Sequence, residues 1–141
     1  MRGRIDGLIR LQRWQLDEKR RNLAELEGMR QDFVNRIAHL DAEVEREKAM
    51  AAADDANKFH FSEFVQATLG RKQSIQDSIA RIDTEIEAAR DEVQAAFQDL
   101  KKMETVDARQ QKERKVARER KVQGDLDEMA IMRHRRSSGR L

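Results

Sequence analysis

From Ile75 to Met103, alternating steps of four and three residues land on Ile75, Ile79, Ile82, Ile86, Ala89, Val93, Ala96, Leu100 and Met103, nine apolar positions in succession. Arg81, Asp83, Glu85, Glu87, Arg90, Asp91 and Glu92 fill the places between. This is a coiled-coil heptad. A helix with so narrow an apolar stripe takes most of its stability from packing that stripe against something else. The pattern therefore predicts a partner helix as well as a helix.

The same stepping fits the N-terminal part of the chain. It predicts a first helix over about 4–50 in which Ile5, Ile9, Leu16, Leu23, Leu26, Phe33, Ile37, Leu40, Val44 and Ala51 hold ten of fourteen seam positions. The other four are Gln12, Lys19, Arg30 and Glu47. Lys19 and Arg30 can lay their methylenes along the seam and keep the charge in water, and polar interruptions of this kind fix register or partner. Between the two stripes the seam positions include Asp54, Lys58, Phe61, Thr68 and Lys72. Asp54-Asp55-Ala56-Asn57 offers side chains that bond nearby backbone, and Ser62 with Glu63 has the chemistry of a helix cap. A turn over about 51–61 and a second helix over about 62–132 follow.

Two arrangements satisfy these stripes. One is a self-paired antiparallel hairpin and the other a parallel dimer of uninterrupted helices, because the heptad phase passes unbroken from Ala51 to Ile79 with no Pro or Gly between them. The end of the second seam separates the two. A turn near Ala56 sets residue i against residue 112 minus i, so Val44 faces Thr68, Ile37 faces Ile75, Leu26 faces Ile86 and Ile9 faces Met103. The first helix runs out there, and so does the heptad, which continues as Asp107, Gln110, Arg114, Ala117 and Lys121. A hairpin must lose its seam at that point, whereas a parallel dimer has no reason to. The expected fold is all-α, a single long two-helix antiparallel coiled-coil hairpin with an overhanging C-terminal helix segment.

The overhang, beyond Thr105, has high helix propensity and i,i+4 charge pairs but only a thin stripe of Val116, Val122, Leu126, Met129 and Met132. It is expected to wait, ordered, for a partner. The tail over 133–141 is expected to fray.

Composition agrees with long helix and excludes a globular core: 40% of residues are charged, 4% aromatic, and the mean hydropathy is −0.91, with no Pro or Tyr. The absence of Cys rules out disulfides and thiolate metal sites and suits a reducing compartment. No stretch approaches the roughly 20 apolar residues of a membrane span, so a soluble, cytoplasmic protein is expected.

Charge is divided along the chain: +4 over residues 1–21, −8 over 22–107 and +6 over 108–141. A hairpin puts both basic segments at one end. The near-neutral total and the lack of interleaved aromatics argue against nucleic acid as the main ligand.

Catalytic and cofactor motifs are absent. The six glycines are scattered, His39, His60 and His134 have no ligand spacing, and carboxylates on a two-helix rod line a wet convex surface without a pocket. No enzyme activity, cofactor, metal or small-molecule ligand is expected.

Candidate chemistry is therefore that of partner binding. Phe59, Phe61 and Phe64 cluster at the expected tip, with Met50 and Leu69 nearby; Phe61 suits plugging the seam, and Phe59, Phe64, Met50 and Leu69 are candidate contacts. Leu8, Leu11 and Trp14 face away from the seam, where a Trp on a polar helix serves either to anchor a partner or to pack on the overhang.

The run Leu8-Ile9-Arg10-Leu11-Gln12-Arg13-Trp14-Gln15-Leu16-Asp17-Glu18-Lys19-Arg20-Arg21 resembles the opening of the FliJ family of flagellar export proteins. Phe64-Val65 with the heptad after it, and Leu126-Asp127-Glu128-Met129-Ala130 followed by Arg133, His134, Arg135 and Arg136, resemble that family's middle and its closing acidic-Glu-x-Ala-x-x-Arg pattern. The resemblance implies an antiparallel coiled coil similar to the central stalk of rotary ATPases, seated in the hexameric export ATPase of flagellar type III secretion. It further implies contacts with the membrane-embedded export gate and with substrate chaperones, and peripheral association with the cytoplasmic face of the membrane at the basal body. On this reading Leu8, Leu11, Trp14, Arg10, Arg13, Arg109, Lys112, Arg114, Lys115 and Arg118, with Arg4, meet the ATPase ring. Met50, Phe59, Phe64 and Leu69 meet the gate or a chaperone. The stalk component of a virulence-type injectisome is the close alternative, and a cytoskeletal or nucleic-acid-associated coiled coil is a reading of a different class.

Overall fold

The computed structural model describes residues 2–139. Two helices account for nearly all of them, α1 over Arg2–Ala53 and α2 over Asp55–Ser138. They pack against each other as an all-α coiled coil. Contacts divide the chain into two compact units, Arg13–Phe97 and a second that joins the segment up to Gln12 to the segment from Gln98 onward.

The Arg13–Phe97 unit is an antiparallel hairpin. Its seam follows the heptad: Leu16, Ala51, Ile82, Ile86 and Ala89 are buried, and Leu23, Leu26, Phe33, Ile37, Leu40, Val44, Phe61, Ile75, Ile79, Val93 and Ala96 are half-buried. No large side chain falls below 2% exposure among the described residues, as expected where each helix has one neighbour.

Three ion pairs across this hairpin report the register; a fourth, Arg90 Nη2 with Glu27 Oε1 at 3.6 Å, is longer and lies five residues off it. Lys19 Nζ bonds Glu92 Oε2 at 3.0 Å, Arg30 Nε bonds Asp83 Oδ1 at 2.5 Å, and Lys72 Nζ lies 2.8 Å from Asp41 Oδ1. Each lies within one residue of the pairing of i with 112 minus i. In all three the cation occupies a seam position and the acid flanks the seam on the other helix. Lys19, Arg30 and Lys72 are thus paired across the hairpin, whereas Glu47, Asp54 and Lys58 on the same stripe are exposed.

The turn is much tighter than the sequence pattern suggested. Where a turn was expected over 51–61, helix persists to Ala53 and resumes at Asp55, leaving Asp54 alone between them. The cap is Asp54 rather than Ser62: its Oδ1 accepts the Ala56 N–H at 3.1 Å, and its own N–H donates to the Ala51 carbonyl at 3.4 Å. An Asp at the N-cap with Asp55 in the first turn suits the positive end of the helix dipole. Ala, Lys and Phe in 51–61 have no reason to leave helix, and pairing of buried Ala51 with half-buried Phe61 keeps the seam closed close to the tip.

In the second unit Ile9 and Leu100 are buried, with Ile5, Met103, Asp107 and Gln110 half-buried along the same stripe. Pairing ends at Gln111. From Lys112 to Gly139 every residue is exposed, yet α2 continues. Four-residue bonds such as Gln111 Nε2 to Asp107 Oδ2 at 3.0 Å and Gln123 Nε2 to Asp127 Oδ1 at 3.1 Å support it locally. Helix also runs through the described part of the tail where fraying was expected, with Arg135 and Arg136 in its last turn and the Gly139 N–H donating to the Arg135 carbonyl at 3.0 Å. Arg140 and Leu141 of that tail lie outside the described residues.

Candidate partner-binding surfaces

The cationic candidates lie mainly on the unpaired stretch of α2. Lys112, Arg114, Lys115 and Arg118 are exposed and, with Gln111 and Ala117, line one shallow depression on its surface. Arg109, one turn earlier, is exposed as well. With no second helix covering this stretch, their positive charge is available to an acidic partner surface. The same bare helix exposes Val122, Leu126, Met129, Ile131 and Met132, each more than half exposed, which gives it apolar contact area beside the charge.

On α1, Leu8 is 42% and Leu11 49% exposed, three residues apart on one face of the helix and turned from the buried Ile9, with Arg4 and Arg10 also exposed. Trp14, 59% exposed, and Arg13 belong to the Arg13–Phe97 hairpin. Trp14 projects outward instead of entering the seam, whose nearby place is taken by Leu16.

At the tip, Phe59 is 70% exposed and meets the His60 ring edge-on, with centroids 6.1 Å apart. Met50 and Leu69 are more than half exposed too, while Phe64 is half-buried. Leu69 sits ten residues beyond Phe59, roughly 15 Å along the helix, so the four candidates span a band of the hairpin end.

A further surface was not singled out from the sequence. Asn35, Arg36, His39 and Leu40 of α1 and Arg71, Ser74 and Ile75 of α2 line a groove of about 540 Å³ on the hairpin. Leu40 and Ile75 supply its apolar part and the two arginines a cationic rim. Arg36 lies over the Phe33 ring, 5.5 Å from its centroid, and His39 Nε2 is 3.1 Å from Glu43 Oε1. Applying the 112 minus i register to exposed residues as well as to the seam would have brought Arg36, His39, Arg71 and Ser74 together.

The electrostatics are those of solvated helix faces. The displaced group is Arg30, whose guanidinium is held above its ordinary range by the hydrogen bond to Asp83 and then by that carboxylate's charge. No cluster of three or more metal-ligating side chains occurs among the described residues, and no described helix is long and apolar enough to cross a membrane.

The family model described as flagellar FliJ protein matches residues 1–139. The chain belongs to the FliJ family. It is accordingly a component of the flagellar export apparatus, and the helical hairpin is the form in which this FliJ-family chain presents its surfaces. No curated protein matches the chain, and no solved structure matches it.

Proposed function

We propose that this FliJ-family chain is the central stalk of the hexameric flagellar export ATPase, coupling the ring to the export gate and to substrate chaperones at the cytoplasmic face of the membrane. One observation carries the reading: α2 continues as ordered helix through residues 112–138 with no covering partner, bearing Lys112, Arg114, Lys115 and Arg118 at its root. A bare helix of that length is anchored by the paired segment before it and has its side chains free for the inner wall of a ring. Leu8, Leu11, Trp14, Arg10, Arg13 and Arg109 extend the ring contact. Met50, Phe59, Phe64 and Leu69 serve the gate or a chaperone.

A stalk of this kind works without reacting. A helix pair inside a sixfold ring touches its six subunits unequally, so the nucleotide states bound tightly by the contacted subunits differ from those of their neighbours. Binding energy that differs between states is what shifts their populations.

The test is stimulation of the purified export ATPase by this chain, compared with a form ending at Gln111. Stimulation by the full chain that is lost in the shortened form supports the reading. Equal stimulation by both removes residues 112–141 from the ring contact.

A further inference from the structure

We infer that the hairpin exchanges arms with a second copy of this chain, each copy straightening through Asp54 into one uninterrupted helix, to form an antiparallel dimer. The hinge permits the exchange. It is one residue long, it contains no Gly or Pro, and no described residue has a left-handed backbone that would hold the chain bent. Its flanks, Ala51-Ala52-Ala53 and Ala56, are strong helix formers.

Straightening loses no packing between the arms of the Arg13–Phe97 unit. Residue i of one copy faces residue 112 minus i of the other, so the pairs Lys19 with Glu92, Arg30 with Asp83 and Asp41 with Lys72 re-form between copies. The backbone gains, because the N–H groups after Ala53 regain the carbonyls four residues back that the bend takes from them. In the hairpin the Asp54 carboxylate replaces one such partner by accepting the Ala56 N–H.

The seam also becomes continuous. Its phase runs unbroken through Ala51, Asp54, Lys58 and Phe61. In the hairpin Asp54 and Lys58 are exposed, and Lys58 Nζ turns to Asp55 Oδ1 at 2.9 Å. In the exchanged dimer Asp54 of each copy faces Lys58 of the other across the twofold axis at Ala56, making two complementary contacts. A parallel dimer would instead set Lys19, Arg30, Lys58 and Lys72 each against itself. The charge pattern therefore selects the antiparallel pairing. Exchange of identical elements is a low-cost route to a dimer where the hinge permits both forms, since the same contacts re-form between copies.

The sequence has no cysteine, so Lys19→Cys with Glu92→Cys provides a clean pair for a short bismaleimide. The full chain is refolded at high concentration and separated by size with light scattering. We expect a fraction at twice the 16.5 kDa chain mass whose cross-linked product stays at dimer mass after denaturation. Asp54→Ala is expected to raise that fraction several-fold, and two Gly inserted after Asp54, which break both helix and seam phase, to abolish it. A dimer whose cross-link stays within one chain, meaning hairpins side by side, overturns the inference. So does an Asp54→Ala protein that remains monomeric at every concentration reached.

Discussion

Arg30 and Asp83, fifty-three residues apart in sequence, are bonded across the hairpin, Nε to Oδ1 at 2.5 Å. Arg30 stands on the seam where the heptad calls for an apolar side chain, and Asp83 stands beside the seam on the facing helix. Both side chains are more than two-fifths exposed, so the pair is screened by water and contributes little to overall stability. Its work is to distinguish one pairing from the neighbouring ones: a shift of either helix by one turn leaves a cation in the stripe without its acid.

That role predicts the outcome of charge reversal. Arg30→Asp or Asp83→Arg alone sets like charges against each other and should lower the melting temperature followed by circular dichroism. The double reversal should recover most of the loss. A double variant no better than the sum of the singles would mean that the two side chains do not act on each other.

Ile86 tests the seam itself. It is 4% exposed and faces Leu26 in the pairing register. Ile86→Ala should destabilise by about 2–4 kcal/mol in urea titration, through lost burial and the void left behind. Ile86→Asp, which strands a charge in the stripe, should unfold the hairpin. Unchanged helicity and melting in the Asp variant would contradict the assignment of Ile86 to the seam.

The bare end of α2 should behave as a separable function. No residue from Lys112 to Gly139 is buried, so a chain ending at Gln111 should melt at the temperature of the full chain while failing to stimulate the export ATPase. A fall in melting temperature would show that the removed stretch packs on the paired helices.

The tip calls for a variant that separates folding from binding. Phe59 is the most exposed large apolar side chain described, at 70%. Phe59→Ala should change stability by no more than about 0.5 kcal/mol and weaken capture of the purified export gate protein about tenfold, as loss of an aromatic anchor does. Full gate binding by this variant would remove Phe59 from the contact.

The paired helices were legible because one physical rule, an apolar side chain every three or four residues, holds at ten of fourteen seam positions from Ile5 to Ala51 and at all nine from Ile75 to Met103. The point where pairing stops was legible only to within two turns: the apolar stripe ends at Met103 and the overhang was expected beyond Thr105, whereas half-buried Asp107, Gln110 and Gln111 carry the pairing to Gln111. The turn was not. Asp54, Asp55 and Asn57 have turn chemistry, but a single Asp both ends one helix and caps the next, and nothing in residue type distinguishes a one-residue bend from an eleven-residue loop. The groove at Arg36, His39 and Arg71 was missed because each of these three, taken singly, resembles a solvated polar side chain. Only the register sets them side by side.

Gln12 carries the remaining prediction. It holds a seam position next to buried Ile9, its Oε1 is buried, and that oxygen accepts no hydrogen bond from the chain. A buried acceptor left in this way costs about 1–3 kcal/mol, and a leucine there would complete the stripe instead. Gln12→Leu should therefore stabilise the pairing of the N-terminal segment with the stretch from Leu100 to Gln111, read as slower amide hydrogen exchange in both. Gln12→Glu, which buries a charge at the same place, should do the opposite. If Gln12→Leu accelerates exchange, the amide supports the pairing through its other atoms, and position 12 is a register device of the same kind as Arg30.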